Sequence, residues 1–285
     1  MATPQTQDQK KDNWSSEAYK TSASFVPNLT QKLLGYIDPQ PTDKILDIGC
    51  GDGKFTGLFL SHVQKVLGLD ASPAMIEAAE RDYGQREDRK AEFRVVDCCH
   101  LEREGGQEVV GGGWDKVVSN AALHWILRAE STRLSTLSNI HAALAPGGKF
   151  IFEMGGHGNV SEVNTALQFT LLKQGVPIAK VRSVYPWFFP SETWMTNTLE
   201  SIGFKVEIME MEYRPTRLTG EKGGGLEGWV RLMGANFLDV LSGDEGMREE
   251  AVRDVCEVLE NAVRREEDGS QWLGYVRLRG VAVKV

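Results

Sequence analysis

Three aspartates in the first third of the chain, Asp47, Asp70 and Asp97, each end a short apolar segment. A buried carboxylate costs free energy unless another group pairs with it, although a single one is equally well explained as the cap of a turn. Three in succession predict a ligand whose own groups pair with them. A carboxylate at the tip of the second strand can accept both hydroxyls of a ribose, and Asp97 would be in reach of an adenine amino group.

A glycine-rich turn follows the first of these aspartates, in the segment Ile45–Gly53. Glycines at this place let the backbone approach a ligand closely at the crevice of a sheet. The dinucleotide fingerprint requires its third glycine one residue later, where Lys54 stands. Asp47 would also repel a pyrophosphate, whereas it would attract an ammonium group. The turn therefore predicts an amino-acid-plus-nucleoside ligand rather than a nicotinamide dinucleotide.

The elements that position these residues alternate regularly between apolar strands and helices. Strands are predicted at Ile45–Ile48, Val66–Leu69, Phe93–Val96, Lys116–Val118 and Lys149–Glu153, and helices at Val26–Tyr36, Lys54–Val63, Pro73–Tyr83 and Ser131–Leu144. Short, almost wholly apolar strands separated by helices are typical of a parallel sheet that is covered on both faces. The pattern predicts a doubly wound α/β fold.

This alternation breaks after Met154, and the chain divides accordingly. We predict an N-terminal arm at 1–25, a ligand-binding core at 26–154, a substrate-cap insertion at 155–202, a core strand at 203–213, a helical insertion at 214–265 and a closing core strand at 266–285. The two insertions would lie over the carboxyl edge of the sheet, where a substrate binds.

Five segments resemble the motifs of class I S-adenosylmethionine-dependent methyltransferases. They are Ile45–Gly53, Val66–Met75, Val95–Leu101, Val117–Trp125 and Leu144–Phe150. The resemblance implies a Rossmann-like methyltransferase sheet with S-adenosyl-L-methionine as cofactor and S-adenosyl-L-homocysteine as product. It further implies that the cofactor is held by Tyr19, Asp47, Gly49, Cys50, Gly51, Asp70, Ala71, Ser72, Met75, Asp97, Cys98, Asn120 and Ala121, with Tyr19 closing over it from the N-terminal arm.

The sequence indicates the methyl acceptor less clearly than it indicates the cofactor. His124 and His157 follow the fourth and fifth strands and are candidate general bases. Each also has a purely structural explanation: a histidine that packs beside Trp125, or one that lies in a solvated glycine loop. Arg277 and Arg279 share one face of the last strand and could bind carboxylates, unless that face is solvated. A substrate pocket with apolar walls is predicted around Trp14, His124, Trp125, Trp187 and Phe188.

Three functions remain open at this point. Segments around Arg214, Trp229 and Tyr275–Arg279 resemble the trans-aconitate methyltransferase-like branch. Within that branch the chain resembles fungal enzymes that S-methylate dithiol metabolites of the gliotoxin type, which favours S-methylation in detoxification; the aromatic insertion, with no tight Arg/Lys cluster of its own, agrees with it. Carboxyl O-methylation of trans-aconitate or a similar polycarboxylate is the alternative. A protein that binds S-adenosylmethionine without catalysis is the alternative of another class.

Composition excludes several other classes. With 32 basic and 40 acidic residues the chain carries a formal charge of −8, which disfavours nucleic acid and anionic membranes as partners. Four cysteines, Cys50, Cys98, Cys99 and Cys256, lack the spacing of a metal site, so no metal is predicted. We predict a monomer in the reducing cytoplasm that acts on a small molecule.

Overall fold

A seven-stranded sheet forms the centre of the computed structural model, which describes residues 31–85, 90–219, 224–241 and 243–285. Its strands are β1 Lys44–Ile48, β2 Lys65–Asp70, β3 Ala91–Val95, β4 Trp114–Asn120, β5 Leu144–Gly155, β6 Phe204–Arg217 and β7 Trp272–Lys284. They lie in the order β3-β2-β1-β4-β5-β7-β6. Strands β1 to β5 are parallel, and β7 is antiparallel to both β5 and β6. The predicted doubly wound α/β fold is confirmed.

Helices connect the strands and form most of segments 155–202 and 214–265, which together are called the cap. They are α1 Gln31–Ile37, α2 Lys54–Gly57, α3 Pro73–Ala79, α4 Leu101–Glu104, α5 Gln107–Val110, α6 Leu123–Ile126, α7 Glu130–Ala143, α8 Ser161–Lys173, α9 Ile178–Ser183, α10 Glu192–Ile202, α11 Gly225–Met233, α12 Ala235–Leu238 and α13 Glu245–Val263. Among the described residues, no helix combines the length and apolar character that crossing a membrane requires.

Two predicted helices are shorter in the structure than the sequence indicated. The helix predicted to reach Val63 ends at Gly57, and a 3-10 turn follows it. The helix that begins at Pro73 is capped by Ser72, as predicted, with the Met75 N–H donating to Ser72 Oγ at 3.3 Å. It changes to a π turn at Glu80, whose carboxylate accepts the backbone N–H of Phe93 at 2.7 Å. This bond attaches the end of the helix to β3.

The sheet separates two apolar layers, because successive side chains of a strand face opposite sides. Leu46 and Ile48 of β1 belong to one layer, together with Phe150 and Phe152 of β5. Ile45 belongs to the other layer, which α1 and α2 complete. Both layers are fully buried, and they hold the carboxyl ends of β1, β2 and β4 at one edge.

A third apolar cluster lies in the cap. It joins Val163 of α8, Trp187, Trp229 of α11, Phe237 of α12 and Val255 of α13. Two segments that are separate in the chain, 155–202 and 214–265, therefore pack against each other.

Strand β6 continues to Arg217, four residues into the segment predicted to be helical. It pairs with β7 along its whole length, which places Arg214 opposite Tyr275 and Glu212 opposite Arg277. The prediction failed here because β-structure at an edge strand depends on its partner strand. The extension brings Arg214 to the carboxyl end of β5.

Candidate active site

The turn after β1 is shaped by three glycines with positive φ. Gly49, Gly51 and Gly53 have φ of 72°, 56° and 76°, a region that residues with a side chain rarely adopt. A Cβ atom at Gly49 would lie 2.2 Å from Cβ of Ala122, so only glycine fits there. At Gly51 a Cβ atom would meet nothing within 4 Å. The backbone at Gly51 therefore borders open space that a ligand can enter.

Asp47 lies beneath this turn and is almost completely buried. Its Oδ2 accepts the Thr56 hydroxyl at 2.6 Å, whereas Oδ1 is buried without a hydrogen-bond partner among the described residues. Burial raises the pKa of Asp47 to about 7, against the lowering effect of the Thr56 hydrogen bond. A buried carboxylate oxygen of this kind is matched by a cationic donor.

Asp70 at the end of β2 shapes the same turn. Its Oδ2 accepts the N–H of Gly51 at 3.0 Å, and its Oδ1 accepts the N–H of Ser72 at 2.9 Å. A carboxylate offers about four acceptor positions, so it can bind hydroxyls in addition to these backbone groups. Asp70 therefore fixes the backbone of the glycine turn from the end of β2.

The remaining predicted ligand residues lie along the same edge. Asp97 accepts the N–H of Cys99 at 3.0 Å and begins a 3-10 turn. Cys98 and Met75 are buried and Ala71 is exposed, while Cys50 is buried within the glycine turn. All of these residues follow β1, β2 or β3, so the fold brings them to one crevice.

The end of β4 has two unusual features. Asn120 has a buried Oδ1 atom without a hydrogen-bond partner in the described part of the chain. Ala121 has φ of 57°, a conformation that costs free energy in a residue with a side chain. Its N–H donates to the carbonyl of Glu153 at 2.8 Å, which holds β4 against β5 at this point. Strain and an unsatisfied polar atom are typical of a ligand site.

A cavity of about 630 Å³ opens beside the crevice, at the junction of core and cap. It is lined by Arg128, Arg133, His157, Gly158, Asn159, Ser161, Asn164, Thr165, Arg182, Tyr185, Trp187, Phe188 and Phe189. Arg128 and Arg133 come from the segment between β4 and β5 and Arg182 from α9, and the aromatic segment 185–189 forms one wall. The sequence indicated the aromatic wall but not the arginines, because these residues are dispersed along the chain.

The aromatic wall is partly an extension of the cap core. Trp187 is buried, and its ring lies 5.3 Å from that of Trp125 and stacks on Phe189 at 5.8 Å. Phe188 is covered by the guanidinium of Arg133 at 3.5 Å. Trp125 itself does not line the cavity. Trp14 and Tyr19, two other predicted site residues, lie outside the described residues.

His124 is placed and bonded in a way that disfavours a general-base role. It is buried in α6, and its Nδ1 accepts the N–H of Gly155 at 3.3 Å. Burial, assisted by the charge of Arg277, lowers the pKa of His124 well below its usual value. A neutral ring whose Nδ1 accepts carries its proton on Nε2, so no lone pair remains to take a proton. His157 is exposed and lines the cavity.

Arg277 and Arg279 do not lie on a solvated face. Both are buried, with 4% and 2% of their surface exposed, around Glu153, which is 1% exposed. The solvated alternative is therefore wrong, because Glu153 at the end of β5 supplies a buried counter-charge. Although burial opposes it, the charges of Arg277, Arg214 and Arg279 lower the pKa of Glu153 to about 2. The sequence indicated Glu153 only as the end of the fifth strand and gave no sign of its pairing with arginines.

Comparison with known proteins gives matches over the core and over the whole chain. A family model described as a methyltransferase domain matches residues 46–150. An uncharacterised methyltransferase of Schizosaccharomyces pombe is 35% identical over 273 residues, which cover 96% of this chain and 98% of that protein. A trans-aconitate 2-methyltransferase of Methylobacterium nodulans is 26% identical over 279 residues, with coverages of 95% and 98%.

A solved structure shares the fold at low sequence identity. It is a phosphoethanolamine N-methyltransferase of Haemonchus contortus in complex with S-adenosylhomocysteine, 20% identical, with a TM-score of 0.51. The alignment covers 90% of this chain and 52% of that one.

Proposed function

The chain belongs to the S-adenosylmethionine-dependent methyltransferases, and on that premise we propose that its acceptor is a carboxylate of a small polycarboxylic acid. Cavity residues Arg128 and Arg182 carry the proposal. Neither guanidinium makes a hydrogen bond or ion pair with any residue of the described ranges, so the cavity offers two uncompensated cations. A guanidinium binds a carboxylate through two parallel N–H···O bonds.

The crevice fits the cofactor that the family uses. The unpaired Oδ1 of Asp47 suits the ammonium group of the methionine part, and Asp70 suits the ribose hydroxyls. The open side of Gly51 leaves room for the ligand next to the backbone. When bound, S-adenosylmethionine supplies an electrophilic methyl group on a sulfonium, which an aligned nucleophile displaces in line.

A carboxylate acceptor agrees with the absence of an available base at His124. Carboxylates are ionised at neutral pH, so the protein has only to bind and align one oxygen and exclude water. The cavity arginines would hold the acceptor, and the aromatic wall of Trp187 and Phe189 would shield it from solvent. The full-length similarity to a trans-aconitate 2-methyltransferase supports the same proposal.

S-methylation of a dithiol is the competing function. The aromatic wall favours it, because an apolar heterocyclic substrate would pack against Trp187 and Phe188. A thiol with a pKa near 8.5 gains from a nearby base, and His157 is the cavity-lining histidine of the described chain. Cytoplasmic location and a monomeric state stay predictions from the sequence.

A transfer assay with methyl-labelled S-adenosylmethionine separates these functions. The panel contains trans-aconitate and other tricarboxylates, reduced epidithiodiketopiperazines, simple dithiols and phenols. We expect label in tricarboxylates as a methyl ester, which mild alkali releases as methanol, whereas a thioether resists the same treatment. Transfer to thiols alone would exclude the carboxylate proposal. Binding of the cofactor without transfer to any acceptor would favour a regulator.

The role of Asp70 is testable by itself. Asp70→Ala is expected to weaken binding of S-adenosylhomocysteine by about 1–3 kcal/mol, because hydrogen bonds to a charged group are lost and the Gly51 N–H is released. Calorimetric titration measures this change. Asp254→Ala, which removes a carboxylate paired with Lys173 in the cap, is the control and should bind normally. Unchanged affinity in folded Asp70→Ala would contradict the assignment.

A further inference from the structure

Three arginines, of which Arg277 and Arg279 are buried and Arg214 is partly buried, share one buried carboxylate at the carboxyl end of β5. Oε1 of Glu153 accepts Nε of Arg277 at 3.0 Å and Nη2 of Arg214 at 3.1 Å, and its Oε2 accepts Nε of Arg279 at 2.6 Å. Glu210 and Glu212 also pair with Arg279, and Lys32 pairs with Glu210 at 2.6 Å. The described cluster thus holds four cations and three carboxylates, of which Lys32 and Glu212 are exposed by 50% and 42%. The buried centre of the cluster is the Glu153 carboxylate with Arg277 and Arg279.

Arg277 is the member of the cluster with unused donors. Its one hydrogen bond within the described chain is the Nε bond to Glu153, so four N–H groups on its two Nη atoms lack an acceptor there. Arg279, in contrast, uses Nε for Glu153 and Nη1 for Glu212 and Glu210. The Arg277 side chain is 5% exposed, and its two Nη atoms present a pair of donors that a bidentate anion would match.

Arg277 does not itself line the cavity, but its neighbours reach both the cavity wall and the end of β4. It lies opposite Gly155, the last residue of β5, and Gly155 donates its N–H to His124. The His124 ring lies 5.7 Å from Phe189 in the cavity wall. On the other side, Glu153 lies opposite Asn120 at the end of β4. A ligand bound by Arg277 would therefore extend from the cavity towards the methyl-donor site.

We propose that the two Nη atoms of Arg277 bind one carboxylate of the acceptor, and that Glu153 is the positioning residue that orients the guanidinium through Nε. The assignment rests on the proposed function and adds a binding residue to it. Arg128 and Arg182 at the cavity would hold the other carboxylates, so acids with two or more carboxylates are preferred to monocarboxylates. The methionine part of the cofactor carries a carboxylate as well, and the experiment distinguishes the two sources.

The test measures two ligands on the same variants by calorimetry. The first is S-adenosylhomocysteine, and the second is propane-1,2,3-tricarboxylate added to protein already saturated with S-adenosylhomocysteine. Arg277→Gln is expected to weaken tricarboxylate binding about 10- to 100-fold and to leave S-adenosylhomocysteine affinity within about twofold of wild type, since the lost donors would face the acceptor. Arg277→Lys keeps the charge without the bidentate geometry and should recover part of the affinity. In the transfer assay Arg277→Gln should raise the KM for the tricarboxylate more than it lowers kcat.

Arg264→Gln, which removes an exposed arginine paired with Glu260, is the matched control and should leave both affinities unchanged. If Arg277→Gln does not fold, Arg277→Lys carries the comparison. If folded Arg277 variants bind the tricarboxylate as tightly as wild type, the inference is overturned while the proposed function stands. Weakened S-adenosylhomocysteine binding, with tricarboxylate affinity retained once the variant is saturated by a higher S-adenosylhomocysteine concentration, would assign the carboxylate to the cofactor and also overturn the inference. A wild-type protein that binds no tricarboxylate would overturn the proposed function together with the inference.

Discussion

Glu153→Ala is expected to lower the free energy of unfolding by about 3–5 kcal/mol, because it leaves two buried guanidinium groups, and the partly buried one of Arg214, without their shared carboxylate. Urea unfolding measures the loss. Glu212→Ala is the matched control: Glu212 also pairs with Arg279, but its side chain is 42% exposed. Pairs with an exposed partner contribute about 0–1 kcal/mol, so this variant should stay close to wild type. Equal losses in the two variants would mean that burial of Glu153 has no special energetic role.

The pH dependence of stability gives an independent measure of the same carboxylate. The pKa of Glu153 is lowered from 4.5 to about 2 in the folded protein. A lowered pKa means that the stabilisation is present above 4.5 and is lost as the pH falls towards 2, a total of about 3 kcal/mol. Glu153→Gln should lack this part of the acid destabilisation, whereas other carboxylates titrate alike in both proteins. The same loss in variant and wild type between pH 4.5 and 2 would contradict the lowered pKa.

The crevice could be predicted from the sequence because its residues follow local rules. Asp47 and Asp70 each stand at the end of an apolar segment, and parallel strands place such ends at one edge of the sheet. The glycines of the first turn are recognisable because only glycine adopts their backbone conformation at no cost. None of these features depends on which strands are neighbours in the sheet.

The arginine cluster could not be predicted in the same way. Glu153 stands at the end of an ordinary apolar strand, and its partner Arg214 is 61 residues away while Arg279 is 126 residues away. These residues come together because β7 lies between β5 and β6 in the sheet. That spatial order differs from the order of the strands along the chain. The cavity arginines show the same limit, since only residues that lie close together along the chain form a recognisable sequence pattern. Arg128 and Arg182 cluster only in space.

Asp47→Asn is expected to weaken binding of S-adenosylhomocysteine by about 2–5 kcal/mol, the usual cost of removing one partner of a buried charged pair. Since the substitution keeps the shape of the side chain, the loss reports the charge that faces the ammonium group. Asp115→Asn, at the opposite edge of the sheet where Asp115 accepts the N–H of Lys44, is the control. Calorimetric titration should find its affinity unchanged. An Asp47→Asn protein that binds as tightly as wild type would place the ammonium group elsewhere.

The raised pKa of Asp47 makes this binding depend on pH in a defined direction. With a pKa of about 7 in the unliganded protein, Asp47 must release a proton to pair with the ammonium group when the pH is below 7. Wild-type affinity should therefore fall about tenfold per pH unit below 7 and level off above it, whereas Asp47→Asn should lack this dependence. For folding the sign is opposite: a raised pKa means stability that is lost as the pH rises towards 7. Asp47→Asn is therefore expected to stabilise the unliganded protein above pH 7 while it weakens ligand binding, a combination that loss of packing at this position would not produce.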